Sequence, residues 1–304
     1  MSTAGDARPA GHTRIARPAH PHLRAHPHRR GAAALRLAAA AVSAVVAIAG
    51  CGSAPSPTPP VRVAAASDLR FAMDELVEEY RAGHPDVVVE VTYGSSGTFY
   101  AQIAGGAPFD AFFSADAEYP RQLEEAGLAD AGATRLYAIG QLVTWVPADS
   151  PLDVESRGLA VAADPGAVKV AIANPEHAPY GRAAVAALRT AGVYDDVEPK
   201  LVLGENVSQA AQFVESGGAD VGVIALSLAL APTLRDKGRF ALVPIDSYPR
   251  LEQGAVVVGA AARPGAAAAF IDFVLGPDGR RVLDRYGFLL PGVVGVPWDG
   301  ASPP

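Results

Sequence analysis

The 304-residue chain has one cysteine, Cys51. A single cysteine makes no internal disulfide and no thiolate zinc site. Histidine is scarce where it would matter: five of seven, His12, His20, His22, His26 and His28, lie near the N-terminus, leaving only His84 and His177. Two are too few for a histidine-rich metal site. Basic residues thin out in the same way. Of the 25 Lys and Arg, seven arginines fall in residues 1–51, where Asp6 is the one acid; beyond residue 51, 18 bases face 31 acids. No dense Lys/Arg run follows residue 51, so the chain lacks a face for neutralising phosphates, which argues against a nucleic-acid partner. Internal repeats of fixed period are also missing. What the chain does have is 50% hydrophobic and 19% charged content. That balance excludes collagen, coiled coil and wholesale disorder, and the length suits one large domain or two of about 150 residues.

Arg29, Arg30 and Arg36 precede an apolar run at 37–48, closed by Ala49, Gly50 and Cys51. The run reads as a secretory signal, too short for a comfortable membrane span. Small residues before the sole cysteine resemble a bacterial lipoprotein signal, in which that cysteine is acylated. Residues 1–51 are therefore expected to be a lipoprotein signal segment, with Cys51 as lipid anchor on the outer face of the cytoplasmic membrane. The alternative is an ordinary signal peptide with an incidental cysteine. Residues 52–60, rich in Pro and Ser, read as an extended spacer.

From Val61 onward, short β-rich runs alternate with helical stretches, the pattern of an α/β sheet protein with largely parallel strands. Strands are expected at 61–66, 87–93, 110–114, 136–146, 168–173, 200–203, 221–225, 240–245 and 255–259. The clearest helix is 68–82, with Leu69, Met73, Leu76, Val77 and Tyr80 at helical spacing and Gly83 as its stop. Further helices are expected at 181–190, 208–216, 266–275 and 278–286. The long strand 136–146 and the strand 255–259 read as crossovers between two lobes. One lobe then comprises 61–140 with 257–304 and the other 141–256, with a cleft between them.

Ligands of open α/β sheets bind at strand carboxyl ends, and four strand-to-helix junctions share one chemistry. They are Ala65-Ala66-Ser67-Asp68, Gly94-Ser95-Ser96-Gly97, Asn174 to Gly181, and Gly204-Glu205-Asn206-Val207-Ser208. Each exposes unpaired backbone N–H groups and the positive end of a helix dipole, about +0.5 charge. Hydroxyls of Ser67 and Ser96 add donors that rotate to suit a ligand. Taken singly, each junction is an ordinary cap and turn. Four together, two from each lobe, read as an anion site without a single lysine or arginine.

At these residues the chain resembles the ModA family of molybdate-binding proteins that serve ABC importers. The resemblance runs from about residue 61 to 291 and is carried by AAAS at 64–67, SSGTFYAQIAGGAPFDAFFSAD at 95–116, NPEHAPYG at 174–181, GENV at 204–207 and GPDGRRVLDRYGF at 276–288. It implies a type II periplasmic-binding-protein fold, two α/β lobes joined by a two-strand hinge and closing on ligand. It also implies that molybdate, with tungstate beside it, is held through its oxygens. Ser67 and Ser96 would give hydroxyl and backbone N–H, Tyr180 and Val207 backbone N–H, their side chains mattering less. Some members add a tyrosine where this chain has Ala225. The implied partner is the membrane permease of an ABC transporter, served by an extracytoplasmic monomer with no cofactor and no catalytic residue.

Asp68 sits awkwardly in that scheme, since a carboxylate about 4 Å from one ligand charge costs roughly 4 kcal/mol at an effective dielectric of about 20. Two roles are open: its N–H faces the ligand and its carboxylate faces solvent, or the carboxylate accepts a proton from a ligand such as hydrogen phosphate. A phosphate or sulfate binder of the same fold is accordingly the nearest alternative. Asp110 and Asp116 read as loop-pinning caps rather than a catalytic or metal pair, and His177 as a solvated turn residue. A secreted serine hydrolase using Ser95 or Ser96 is the alternative of a different class; it lacks the G-x-S-x-G elbow and an evident base. The sequon at Asn206 carries little weight in a cleft loop, and Tyr93, Phe99 and Tyr100 read as core and cleft wall.

Overall fold

The computed structural model describes residues 58–292. The expected signal segment, Cys51 and most of the expected spacer lie outside the described residues. The chain runs β1 (Val61–Ala66), α1 (Arg70–Gly83), β2 (Val89–Gly94), α2 (Ser96–Ala104), β3 (Ala111–Ser114), α3 (Glu118–Glu125) and β4 (Arg135–Gly140). It continues through β5 (Leu142–Pro147), α4 (Val154–Arg157), β6 (Val170–Ala173), α5 (Pro179–Thr190), α6 (Tyr194–Val197), β7 (Leu201–Gly204), α7 (Val207–Glu215), β8 (Val221–Ala225), α8 (Leu226–Ala229) and β9 (Gly238–Leu242). β10 (Leu251–Val257), α9 (Pro264–Leu275) and α10 (Pro277–Arg285) follow.

Two five-stranded sheets result, ordered β2-β1-β3-β10-β4 and β7-β6-β8-β5-β9. In each, three neighbouring strands are parallel and the remaining pairings antiparallel. β1 lies inside its sheet and, apart from the exposed Arg62, is apolar on both faces, as a covered parallel strand is. Its alternation sorts the core: Val61, Val63 and Ala65 pack with Met73, Leu76 and Phe270, while Ala64 packs with Phe99, Phe112 and Leu123 on the other face. α1 keeps Met73, Leu76 and Tyr80 buried at the expected spacing, and α5, α9 and α10 each begin with proline, whose missing N–H costs nothing in a first turn.

The run 136–146 is not one strand. β4 ends at Gly140 in the first sheet, β5 starts at Leu142 in the second, and Gln141 lies between them. The Gln141 side-chain amide donates to Gly287 O at 2.8 Å, and the Gln141 backbone carbonyl accepts from Leu226 N–H at 2.9 Å. β10 belongs to the first sheet from Leu251 onward, pairing with β3 and β4, so the second sheet is complete before residue 251 rather than at 256. The antiparallel pairing of Leu251 with Gly140 sets the outgoing and returning segments side by side.

Candidate functional site

The four junctions converge. Ser67, Asp68, Ser96, Tyr180, Asn206 and Val207 are among the residues lining one small cavity where the two sheets' C-terminal loops meet, and none of its lining residues is Lys, Arg or His. The cavity holds about 190 Å³ of unfilled space, part of it open to solvent. Its small size and its lining of helix N-termini and serine hydroxyls match a compact anion.

The donors at this cavity are left over because their neighbours are used. Ser96, Tyr180 and Val207 stand in the first turns of α2, α5 and α7, where N–H groups have no intrahelical acceptor. Gly97 N–H is taken by His177 O at 3.0 Å, Gly181 N–H by Ala178 O at 3.0 Å, and Gln209 N–H by the Asn206 side chain at 3.1 Å. Among the described residues, the N–H groups of Ser96, Tyr180 and Val207 have no protein acceptor. The two serine hydroxyls are fixed from behind. Ser96 Oγ accepts from Ala115 N–H at 2.9 Å and Ser67 Oγ from Ser208 N–H at 3.4 Å. Neither hydroxyl donates to protein among the described residues, so each O–H remains available to a ligand. Ala225 ends β8 inside the core and is not among the residues lining the cavity.

Asp68 departs from the expected solvent-facing arrangement. It is 1% exposed; Oδ2 accepts from Gln253 Nε2 at 2.6 Å, and the same amide donates to Tyr180 Oη at 3.3 Å. Burial raises the Asp68 pKa from 3.8 to about 6, although the Gln253 amide and Tyr180 hydroxyl favour the charged form. Burial and then the Asp68 charge push the Tyr180 and Tyr137 phenols well above the ordinary range.

The other candidates also resolve. Asp110 pins its loop, accepting from Arg62 N–H at 2.8 Å and Arg263 N–H at 3.0 Å. Asp116 caps Glu118 N–H at 3.0 Å and also pairs with Arg182 of α5 at 2.7 Å. His177 is not simply solvated: its Nδ1 lies 2.9 Å from Ser95 Oγ and its Nε2 3.7 Å from Glu205. A base thus stands beside Ser95 after all. Its geometry is not that of an activated nucleophile, because Ser95 Oγ donates to the His177 carbonyl at 2.5 Å and the imidazole does not receive that proton.

With this geometry in place, relatives are informative. A model of the bacterial extracellular solute-binding protein family matches residues 61–289. The chain is 39% identical over 209 residues to the molybdate-binding protein ModA of Rhodobacter capsulatus, covering 69% of this chain and 79% of that protein. To ModA of Azotobacter vinelandii it is 36% identical over 230 residues, 75% and 89% of the two chains. The chain belongs to the ModA family. The solved periplasmic molybdate-binding protein of A. vinelandii superposes with a TM-score of 0.71 at 32% identity, over 76% of this chain and 99% of that one. The sulfate-binding protein SubI of Mycobacterium tuberculosis, 20% identical with a TM-score of 0.63 over 78% and 88% of the chains, shares the fold. Both expectations, the ModA family and its two-lobed α/β binding-protein fold, hold.

In this ModA-family chain several residues at the seam between the lobes escaped sequence reasoning. Gln253, Ser208, Ser227 and Arg182 all reach across it: Ser208 Oγ donates to Ser67 O at 2.8 Å and Ser227 Oγ to Asp68 O at 2.7 Å. Their partners stand far away in sequence, so local pattern carried no signal. Gly97 had one: it is a glycine beside the serine pair, and a Cβ there would sit 2.6 Å from His177 O and 2.7 Å from Tyr119 Oη.

Proposed function

We propose that the protein captures molybdate between its lobes outside the cytoplasm and hands it to the membrane permease of an ABC importer. Membership of the ModA family makes it a solute-binding component of transport rather than an enzyme. The observation that carries the ligand is the convergence of spare neutral donors, the N–H groups of Ser96, Tyr180 and Val207 and the hydroxyls of Ser67 and Ser96, on one small cation-free cavity. Such donors bind an oxyanion through its oxygens and leave the metal centre untouched by protein atoms. Tungstate, a tetrahedral dianion of nearly the same size, is the second ligand. The two lobes, one built on each sheet, close by population shift: the ligand bridges helix ends of both, so it favours the closed state. The monomer works from a lipid anchor at Cys51, with residues 52–60 as spacer.

One observation favours a second reading. The buried Asp68 carboxylate has an oxygen without a protein partner, which suits an oxyanion that brings its own proton, such as hydrogen phosphate. Sulfate, fully deprotonated, gains nothing there. Thermal melts of the purified protein with molybdate, tungstate, sulfate or phosphate at equal concentration separate these readings. A ligand at about 1,000 times its Kd adds roughly 4 kcal/mol and raises Tm by about 8–16 °C for a domain this size. Shifts with molybdate and tungstate alone are expected; a shift with phosphate alone overturns the assignment, and no shift at all removes the oxyanion.

A further inference from the structure

Neutral donors account for an anion in the cavity, but not for a carboxylate in its wall. Asp68 belongs to a buried cluster that spans the seam. Gln253 of β10 and Tyr137 of β4 reach it from the first lobe, and Tyr180 of α5 from the second; Ser227 of α8 holds its carbonyl. Every one of these partners is uncharged. Gln253 is 0% exposed, and two acceptors in the cluster, Asp68 Oδ1 and Gln253 Oε1, lack a donor. The cluster is thus short of one proton by donor and acceptor count. A proton on the Asp68 carboxyl supplies a donor and also removes the negative charge beside the oxyanion.

We propose that oxyanion capture is proton-coupled: closing on a dianion makes Asp68 take one proton from solvent, so anion and proton are bound together and released together. The proposal rests on the molybdate reading. Two steps lead to it. Closure lays Tyr180 over Asp68 and completes its burial, which already lifts its pKa to about 6; a dianion in the same cavity then shifts the equilibrium further toward the neutral acid. The ligand class follows as oxyanions that are dianionic at neutral pH. When the anion leaves, Asp68 returns to its ligand-free pKa of about 6, so its proton leaves at neutral pH and the restored charge disfavours rebinding.

The test is calorimetric titration of the purified protein with sodium molybdate at pH 7 in three buffers of different ionisation enthalpy. Uptake close to one proton per molybdate is expected. Affinity should rise up to tenfold per unit as pH falls from 8 toward 6, then level off. Asp68→Asn should abolish both the uptake and the slope, while His177→Gln, whatever it does to affinity, should keep them. Wild-type binding without uptake overturns the proposal, as does uptake that survives Asp68→Asn or vanishes with His177→Gln. If Asp68→Asn does not fold, the wild-type slope and the His177→Gln titration decide. Absence of any molybdate heat contradicts the molybdate reading itself, a result distinct from binding without a proton.

Discussion

The mouth and the back of the seam hold the lobes together by opposite means. At the mouth, Asp116 of the first lobe meets Arg182 of the second at 2.7 Å, with side chains 33% and 41% exposed, and the guanidinium lies over the Tyr119 ring at 5.6 Å. At the back, Asp68 meets Gln253 and Tyr180 with no cation and no water-facing surface. The exposed pair is screened and contributes little, typically 0–1 kcal/mol. The buried carboxylate is dominated by desolvation, which makes it sensitive to pH and to any second charge nearby. Two aspartates that look alike in the sequence therefore do different work. One joins the lobes at the surface through a cation; the other joins them in the interior through uncharged partners.

The comparison breaks most sharply if the donors between the two regions are removed. Ser67→Ala with Ser96→Ala takes away two hydroxyl donors to an anion, each worth about 1.5–3 kcal/mol. Calorimetry should therefore show molybdate binding weakened by more than 100-fold with the circular dichroism unchanged. Unaltered affinity would remove both residues from the site.

At the back of the seam, the raised Asp68 pKa makes wild-type stability greatest below pH 3.8 as far as this group is concerned, falling as pH rises to about 6 and flat beyond. Asp68→Asn abolishes that fall. Urea unfolding without ligand should show the variant more stable than wild type by up to about 3 kcal/mol at pH 8, the gain shrinking toward pH 4. A variant less stable at pH 8 would mean that the charge is held favourably.

Gly97→Ala tests the close approach between the regions. Its Cβ would press on His177 O and Tyr119 Oη, so the lobes must stay slightly apart, at a cost of about 1–3 kcal/mol in ligand affinity by calorimetry. Equal affinity would show that closure does not need this contact. The smallest effect belongs to the mouth: Arg182→Ala should weaken binding by about 1 kcal/mol or less, and the difference should fade as salt rises. A larger, salt-independent loss would place Arg182 at the ligand.

Local pattern made much of this fold legible. β1 is a short apolar run and α1 is helically periodic, and the four junctions mark themselves with serine, asparagine and glycine. The break at Gln141 inside the expected crossover strand 136–146 was illegible because the run is apolar on both sides of it; the pairing of β4 with β10, and of β5 with β8 and β9, shows that the chain changes sheet there. Asp68 was misread for the same reason. A Ser-Asp pair after a strand looks like a helix start, and its burial depends on Gln253, 185 residues on. The Ser95–His177 contact spans 82 residues, which is why a base was not visible beside the serine. Helix ends carry local signals; the seam is made of distant pairs.

Crystals grown with molybdate, with data collected at the molybdenum absorption edge, test the central claim most directly. The account predicts one anomalous peak in the cavity, its oxygens within hydrogen-bond distance of the Ser67 and Ser96 hydroxyls and the N–H groups of Ser96, Tyr180 and Val207. A peak elsewhere, or a molybdenum atom ligated directly by a side chain, would contradict it.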